Sequence, residues 1–405
     1  MPGQLLDPLS LIPPRPGQCR RGMVPVQPDL TIARTKGDEV ILPTPLFLDA
    51  APWHHWTPTV ARCLAGKLSE RGVLVSALER ELGDDQSALA SAPAGSNQAR
   101  KSTPTKSGPL PTDGATDRAG DGRWRMLPYR SERYGLLPAD LDVSRVIDVQ
   151  LSGVRDSSGR FAYSAERLSR LEITPDGQPL SGGGWVPAMT LPPDLAGLEH
   201  LSKKLLQLRQ LAPQSAVIIS TGPEWLQETL TPLLAARPDA LLVRLDHLHM
   251  DGLALVSLFQ NIQKAARQQD PTPLWLTLPQ PLGPATSLVE EADTTDPARL
   301  ADDAVKILAL GASAVGIDHW LQPLYPAIAQ IPPPSRYASN PLGTLDQTLE
   351  ALLADSIDPL IQRFVSLLAS RQPGEPADAL ASSDAAWAKA VGVRPIPWVA
   401  PTKQT

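Results

Sequence analysis

The chain has 405 residues, enough for one large α/β barrel with tails or for two ordinary domains, and it carries a formal net charge of −6. That acidic balance, with basic clusters such as Arg20-Arg21 no longer than a pair, argues against nucleic acid or an anionic membrane as partner and leaves an unidentified small molecule or a protein. Two cysteines, Cys19 and Cys63, cannot ligate zinc or an iron–sulfur cluster and allow one disulfide at most, which fits a reducing cytoplasm. No apolar run reaches the length of a bilayer span, and Met1-Pro2-Gly3-Gln4 lacks the basic start and apolar core of a secretory signal.

Residues 1–35 hold Pro and Gly without sustained periodicity and read as an irregular arm. A barrel-sized region follows from 36 to 372. Within it Val40–Leu48 is a proline-interrupted first strand, Thr57–Arg71 a helix and Val73–Ala77 a strand. From about 85 to 122 the composition turns to Ser, Ala, Gly, Pro, Thr and Asp, too poor in apolar surface to offset its ordering entropy, so a disordered insertion is expected. Val146–Leu151 is the next strand. Then helix and strand alternate: Asp194–Leu211 with leucines on one face, Ala216–Ser220, Glu224–Ala235, Ala240–Leu245, Leu253–Arg267 and Leu274–Leu278. Asp296 and Pro297 open a helix that Gly311 closes before the strand Ala314–Asp318. A second Pro-rich tail spans 373–405, where Trp387 and Trp398 predict docking. Such alternation requires parallel strands joined by crossovers, in a barrel or a doubly wound sheet.

Ordered landmarks choose between those two. Pro43-Thr44-Pro45-Leu46-Phe47-Leu48, Trp56-Thr57-Pro58, Arg133-Tyr134-Gly135-Leu136, Gly153-Val154-Arg155, Leu191-Pro192-Pro193-Asp194-Leu195 and Leu310-Gly311-Ala312-Ser313-Ala314-Val315-Gly316-Ile317 follow in the order and spacing of the flavin-binding domain of glutamate synthases. The chain resembles that family over roughly 330 residues, and the resemblance implies a (β/α)8 TIM-type barrel that binds FMN. The turns that would serve the flavin have changed. Ser76-Ala77-Leu78-Glu79-Arg80-Glu81 has no glycine where the family has a glycine-rich turn, and Ala216-Val217-Ile218-Ile219-Ser220 lacks the family's lysine. The segment about Asp246-His247-Leu248-His249-Met250-Asp251-Gly252 keeps one glycine, and the cysteine-rich iron–sulfur segment is gone.

A flavin phosphate needs several backbone N–H groups from a small-residue turn or helix N-terminus. Gly311 and Gly316, with Arg155 in place of the family lysine, are the residues left to hold FMN. The expectation is a binding or regulatory barrel without the family's full flavin and iron–sulfur chemistry. Two alternatives stay open: an FMN-dependent oxidoreductase of glutamate synthase type, and a barrel enzyme using histidine and aspartate. For the latter, Asp246, His247, His249, Asp251 and His319 lie just past predicted strands, with His54, His55, Asp49 and Asp318. The same residue types also cap helices and bind turn backbones. His247-x-His249 lacks a third ligand, so no metal site is assigned.

Overall fold

In the computed structural model eight parallel strands close on one another in chain order: β1 (Leu46–Leu48), β2 (Leu74–Ser76), β3 (Arg125–Tyr129), β4 (Ser144–Gln150), β5 (Ala216–Thr221), β6 (Leu241–Val243), β7 (Leu274–Leu276) and β8 (Ala314–Gly316). β8 returns to β1 through Val315↔Leu46 and Gly316↔Phe47, so the sheet has no edge. The protein is a (β/α)8 barrel. The structure describes residues 6–12, 29–34, 39–82, 124–130, 138–151, 162–164, 185–187, 191–192, 194–246, 248–269, 272–281, 297–332, 341–369 and 379–396.

Seven of these strands follow the sequence pattern, with the first reduced to Leu46–Leu48. Val40–Leu42 instead pairs antiparallel with Leu30–Ile32, and Ile32, Val40 and Leu42 close the N-terminal end of the barrel. The eighth strand, β3, is absent from the sequence reading. Arg-Met-Leu-Pro-Tyr contains a proline and has no apolar alternation. The carbonyls of Trp124 and Met126 accept from β2, so Pro128, two residues on, faces β2 beyond its last paired residue and no ladder N–H is lost. The expected insertion at 85–122 lies outside the described residues, as does Arg133-Tyr134-Gly135-Leu136.

The helices outside the barrel are α1 (Pro58–Glu70), the short α2 (Pro138–Val143), α3 (Leu201–Leu211), α4 (Pro223–Ala235), α5 (Gly252–Gln269), α6 (Pro297–Ala309), α7 (Pro341–Ser356) and α8 (Asp358–Ala369). Arg71 at the end of α1 reaches Glu350 of α7 at 2.8 Å and Asp358 of α8 at 2.6 Å, tying the first helix to the last. The arms that look irregular in sequence pair with each other. Leu9–Leu11 lies antiparallel to Leu380–Ser382, which also pairs with Arg394–Pro395. Asp384 then caps α9 (Ala385–Val391) through the N–H groups of Ala386 and Trp387, and Trp387 is buried; Trp398 lies outside the described residues. Among the described residues no helix is long and apolar enough to cross a membrane.

α1 and α6 end alike. The N–H groups of Gly72 and Val73 bond to Ser69 and Leu68, and those of Gly311 and Ala312 to Leu308 and Ile307, the Schellman pattern with a left-handed glycine. Gly72 has φ +80°, and a Cβ there would sit 2.9 Å from Pro43 Cβ. Gly72→Ala is therefore expected to destabilise the protein by about 1–3 kcal/mol, read as a lower midpoint in urea with an unchanged slope.

Candidate functional site

Side chains alternate across each barrel strand, so the interior is layered. Phe47, Leu74, Met126, Val146, Ala216, Ile218, Leu242, Trp275 and Ala314 form an apolar filling, with Phe47 and Trp275 stacked at 5.5 Å. Two residues further toward the C-terminal ends, the same inward positions become Asp49, Ser76, Asp148, Ser220, Arg244, Thr277 and Gly316. The mouth of the barrel is thus floored by a polar layer.

Arg244 organises that layer. Its Nε and Nη2 donate to the two oxygens of Asp49 at 2.7 and 2.8 Å. Nη2 also donates to Asp148 Oδ2 at 2.5 Å, and Nη1 donates to Ser220 Oγ. Gln150 Nε2 adds a bond to Asp148 at 3.0 Å. Asp49, Asp148, Ser220 and Arg244 are all buried. Burial opposes the guanidinium charge, but Asp148 and Asp49 more than offset it and hold Arg244 protonated. Complete burial pushes the Asp148 carboxyl up, helped by Asp49 and opposed by Arg244.

A second set sits beside it. Asp318, the first residue of a four-residue helix after β8, accepts the backbone N–H groups of Ala50 at 2.8 Å and Asp49 at 3.2 Å. Desolvation, and then Asp49 and Asp246, push its carboxyl up to about 6. Thr277 Oγ1 donates to Asp246 Oδ1 at 3.3 Å and accepts from the N–H of Leu245 at 2.7 Å. His319 Nε2 lies 2.9 Å from the carbonyl of Leu278; since a carbonyl only accepts, Nε2 carries the hydrogen and Nδ1 is the basic nitrogen. A carboxyl that titrates near 6 at a barrel mouth can give or take a proton near neutrality.

The residues expected from sequence divide as follows. Asp49, Asp246 and Asp318 come together, with His319 beside the end of β7. Asp251 is exposed and caps α5 through the N–H of Ala254, 2.8 Å away, which is the helix-capping role of such a residue. His249 lies in a two-residue strand, His249–Met250, parallel to Gln280–Pro281 on the rim. His54 and His55 meet edge to face in a short 3-10 turn, Trp53–His55, whose Trp53 donates to the carbonyl of Ser76 at 2.8 Å and packs edge-on against Trp56. Cys63 is half-buried in α1, and burial, then Asp346, push its thiol up to about 11, which suits packing and not a nucleophile. His247 and Arg155 lie outside the described residues. Arg244, Asp148, Ser220 and Thr277 were not expected. Their signal is a lone polar residue at an inward position of an otherwise apolar strand, as in Val146-Ile147-Asp148-Val149.

The phosphate candidates do not form a cradle. Gly311 precedes β8 and caps α6, so it belongs to the opposite end of the barrel from the mouth. Gly316 ends β8 against its neighbours: a Cβ there would lie 3.2 Å from Thr277 Cγ2 and 3.3 Å from Phe47 Cε2. The N–H groups of Asp49 and Ala50 near it are taken by Asp318. The arginines near these strand ends are paired as well, Arg125 with Glu79 at 2.7 Å and Arg130 with Glu81 at 3.4 Å. Among the described residues none forms a set that fits a flavin phosphate. Among the described residues no group of three or more His, Cys, Asp or Glu is placed to hold a metal ion.

No protein-family model and no curated protein sequence matches the chain. Solved structures align at low similarity. A mandelate oxidase with benzoyl-formic acid shares 14% identity over 90% of this chain and 86% of its own, with a TM-score of 0.41. A (putative) lactate oxidase from Pediococcus acidilactici shares 14% over 89% and 80%, also with a TM-score of 0.41. An IMP dehydrogenase/GMP reductase-like protein from Corynebacterium glutamicum shares 12% over 78% and 72%, with a TM-score of 0.24.

Arg244→Met leaves Asp49 and Asp148 buried without their cation and is expected to cost about 3–5 kcal/mol in urea unfolding, with part of the loss recovered in Asp49→Asn/Asp148→Asn/Arg244→Met. For Asp318 the folded protein holds the proton more tightly than the unfolded chain. Stability therefore falls as pH rises from the unfolded carboxyl range of about 4 to the folded value of about 6, and is level above it. Thermal melts between those pH values should show this slope, and Asp318→Asn should flatten it.

Proposed function

We propose that this protein is a barrel of the flavoenzyme type of architecture whose mouth no longer serves flavin, and that it works as a binding or regulatory barrel. The observation that carries this reading is the filled anion position. Asp318 supplies the anion for the two N–H groups at the end of β1, and Arg244 spends its donors on Asp49, Asp148 and Ser220. An incoming phosphate would have to displace a carboxylate tied to two amides, beside further carboxylates at Asp49 and Asp246. Like charge at this range costs more than one hydrogen bond returns. The lost glycine turn after β2 agrees: Ser76-Ala77-Leu78 there carries Cβ atoms, and the Ser76 carbonyl is covered by Trp53.

Purified protein is expected to be colourless and to take up no FMN on dialysis against the cofactor, read from absorbance in the flavin bands. Stoichiometric yellow protein would overturn the reading.

A further inference from the structure

Among the described residues four carboxylates, Asp49, Asp148, Asp246 and Asp318, lie at the mouth about the Arg244 guanidinium. Two side-chain oxygens in the same layer have no hydrogen-bond partner, Asp148 Oδ1 and Ser76 Oγ. Their residues are 0% and 1% exposed, and strand alternation turns both inward. A buried carboxylate oxygen without a donor is costly, and the Ser76 hydroxyl, which can accept as well as donate, leaves a second acceptor open in the same layer.

We propose that the polar layer of the barrel binds a small primary organic ammonium, which brings positive charge to the carboxylates and N–H donors to Asp148 Oδ1 and Ser76 Oγ. The proposal rests on the reading that the mouth takes no phosphate. An alkylammonium carries three donors and no acceptor, matching a layer rich in acceptors. A bare metal ion is the poorer match, because the described carboxylates and histidines form no metal-holding group. The stacked Phe47 and Trp275 close the space below the polar layer, so the carbon part of the ligand points outward.

The test is thermal unfolding of the full chain with n-butylammonium chloride, against KCl, MgCl2 and the neutral n-butanol at matched ionic strength. A saturable rise of about 1–3 °C with n-butylammonium alone is expected. Ser76→Ala and Asp148→Asn should each weaken the apparent affinity about tenfold; Ser76→Ala removes only a hydroxyl and serves where Asp148→Asn fails to fold. An equal rise with KCl or n-butanol, a larger one with MgCl2, no rise with n-butylammonium, or unchanged affinity in Ser76→Ala overturns the proposal. The FMN dialysis is independent of it. Protein that is colourless and ignores n-butylammonium sinks this inference alone, whereas protein that retains FMN sinks the reading beneath it.

Discussion

The bidentate pair between Arg244 and Asp49, extended to Asp148, fixes the upper half of this barrel. It joins the ends of β6, β1 and β4 across the axis, at a depth where other inward side chains are small or apolar. Removing charges from water is expensive, and a buried ion pair adds little net stability over an apolar replacement. Its effect is geometric. A guanidinium with its donors assigned in one plane admits one arrangement of the carboxylates around it, and that arrangement sets where Asp318 and Asp246 can stand.

The same pair decides what the mouth can receive. A barrel built for an anionic cofactor presents backbone N–H groups and cations without internal partners. Here both kinds of donor are met from within: the β1 amides by Asp318, Arg244 by Asp49 and Asp148, Arg125 and Arg130 by glutamates from the turn after β2. In this layer Asp148 Oδ1 and Ser76 Oγ are left without a partner, and in the apolar layer beneath it so is the Trp275 Nε1 donor.

The scaffold itself was legible where periodicity was strong. The alternation from residue 194 to 318 reads into α3 through β8, although α3 begins at Leu201 after a 3-10 turn and not at Asp194, and the caps at Pro297 and Gly311 fall where the sequence places them. β3 escaped because a strand flanked by a low-complexity stretch and containing Pro128 carries no repeating signal. The pairing of Leu9–Leu11 with Leu380–Ser382 escaped because it joins segments more than 360 positions apart, beyond any local pattern. Among site residues, Asp49, Asp246, Asp318 and His319 were marked by their position past strands. Asp251 was marked by the same rule and proved to be a helix cap, since residues past a strand also open the next helix.

By itself, then, the amino-acid sequence determined the class of fold and the absence of glycine from residues 76–81, because these depend on periodicity and residue type along the chain. The partners of Arg244, the occupation of the β1 amides by Asp318 and the unpartnered oxygens of Asp148 and Ser76 were decided only by tertiary structure. They depend on which strands face one another across the axis, and closing eight strands into a barrel brings together residues that no sequence spacing relates.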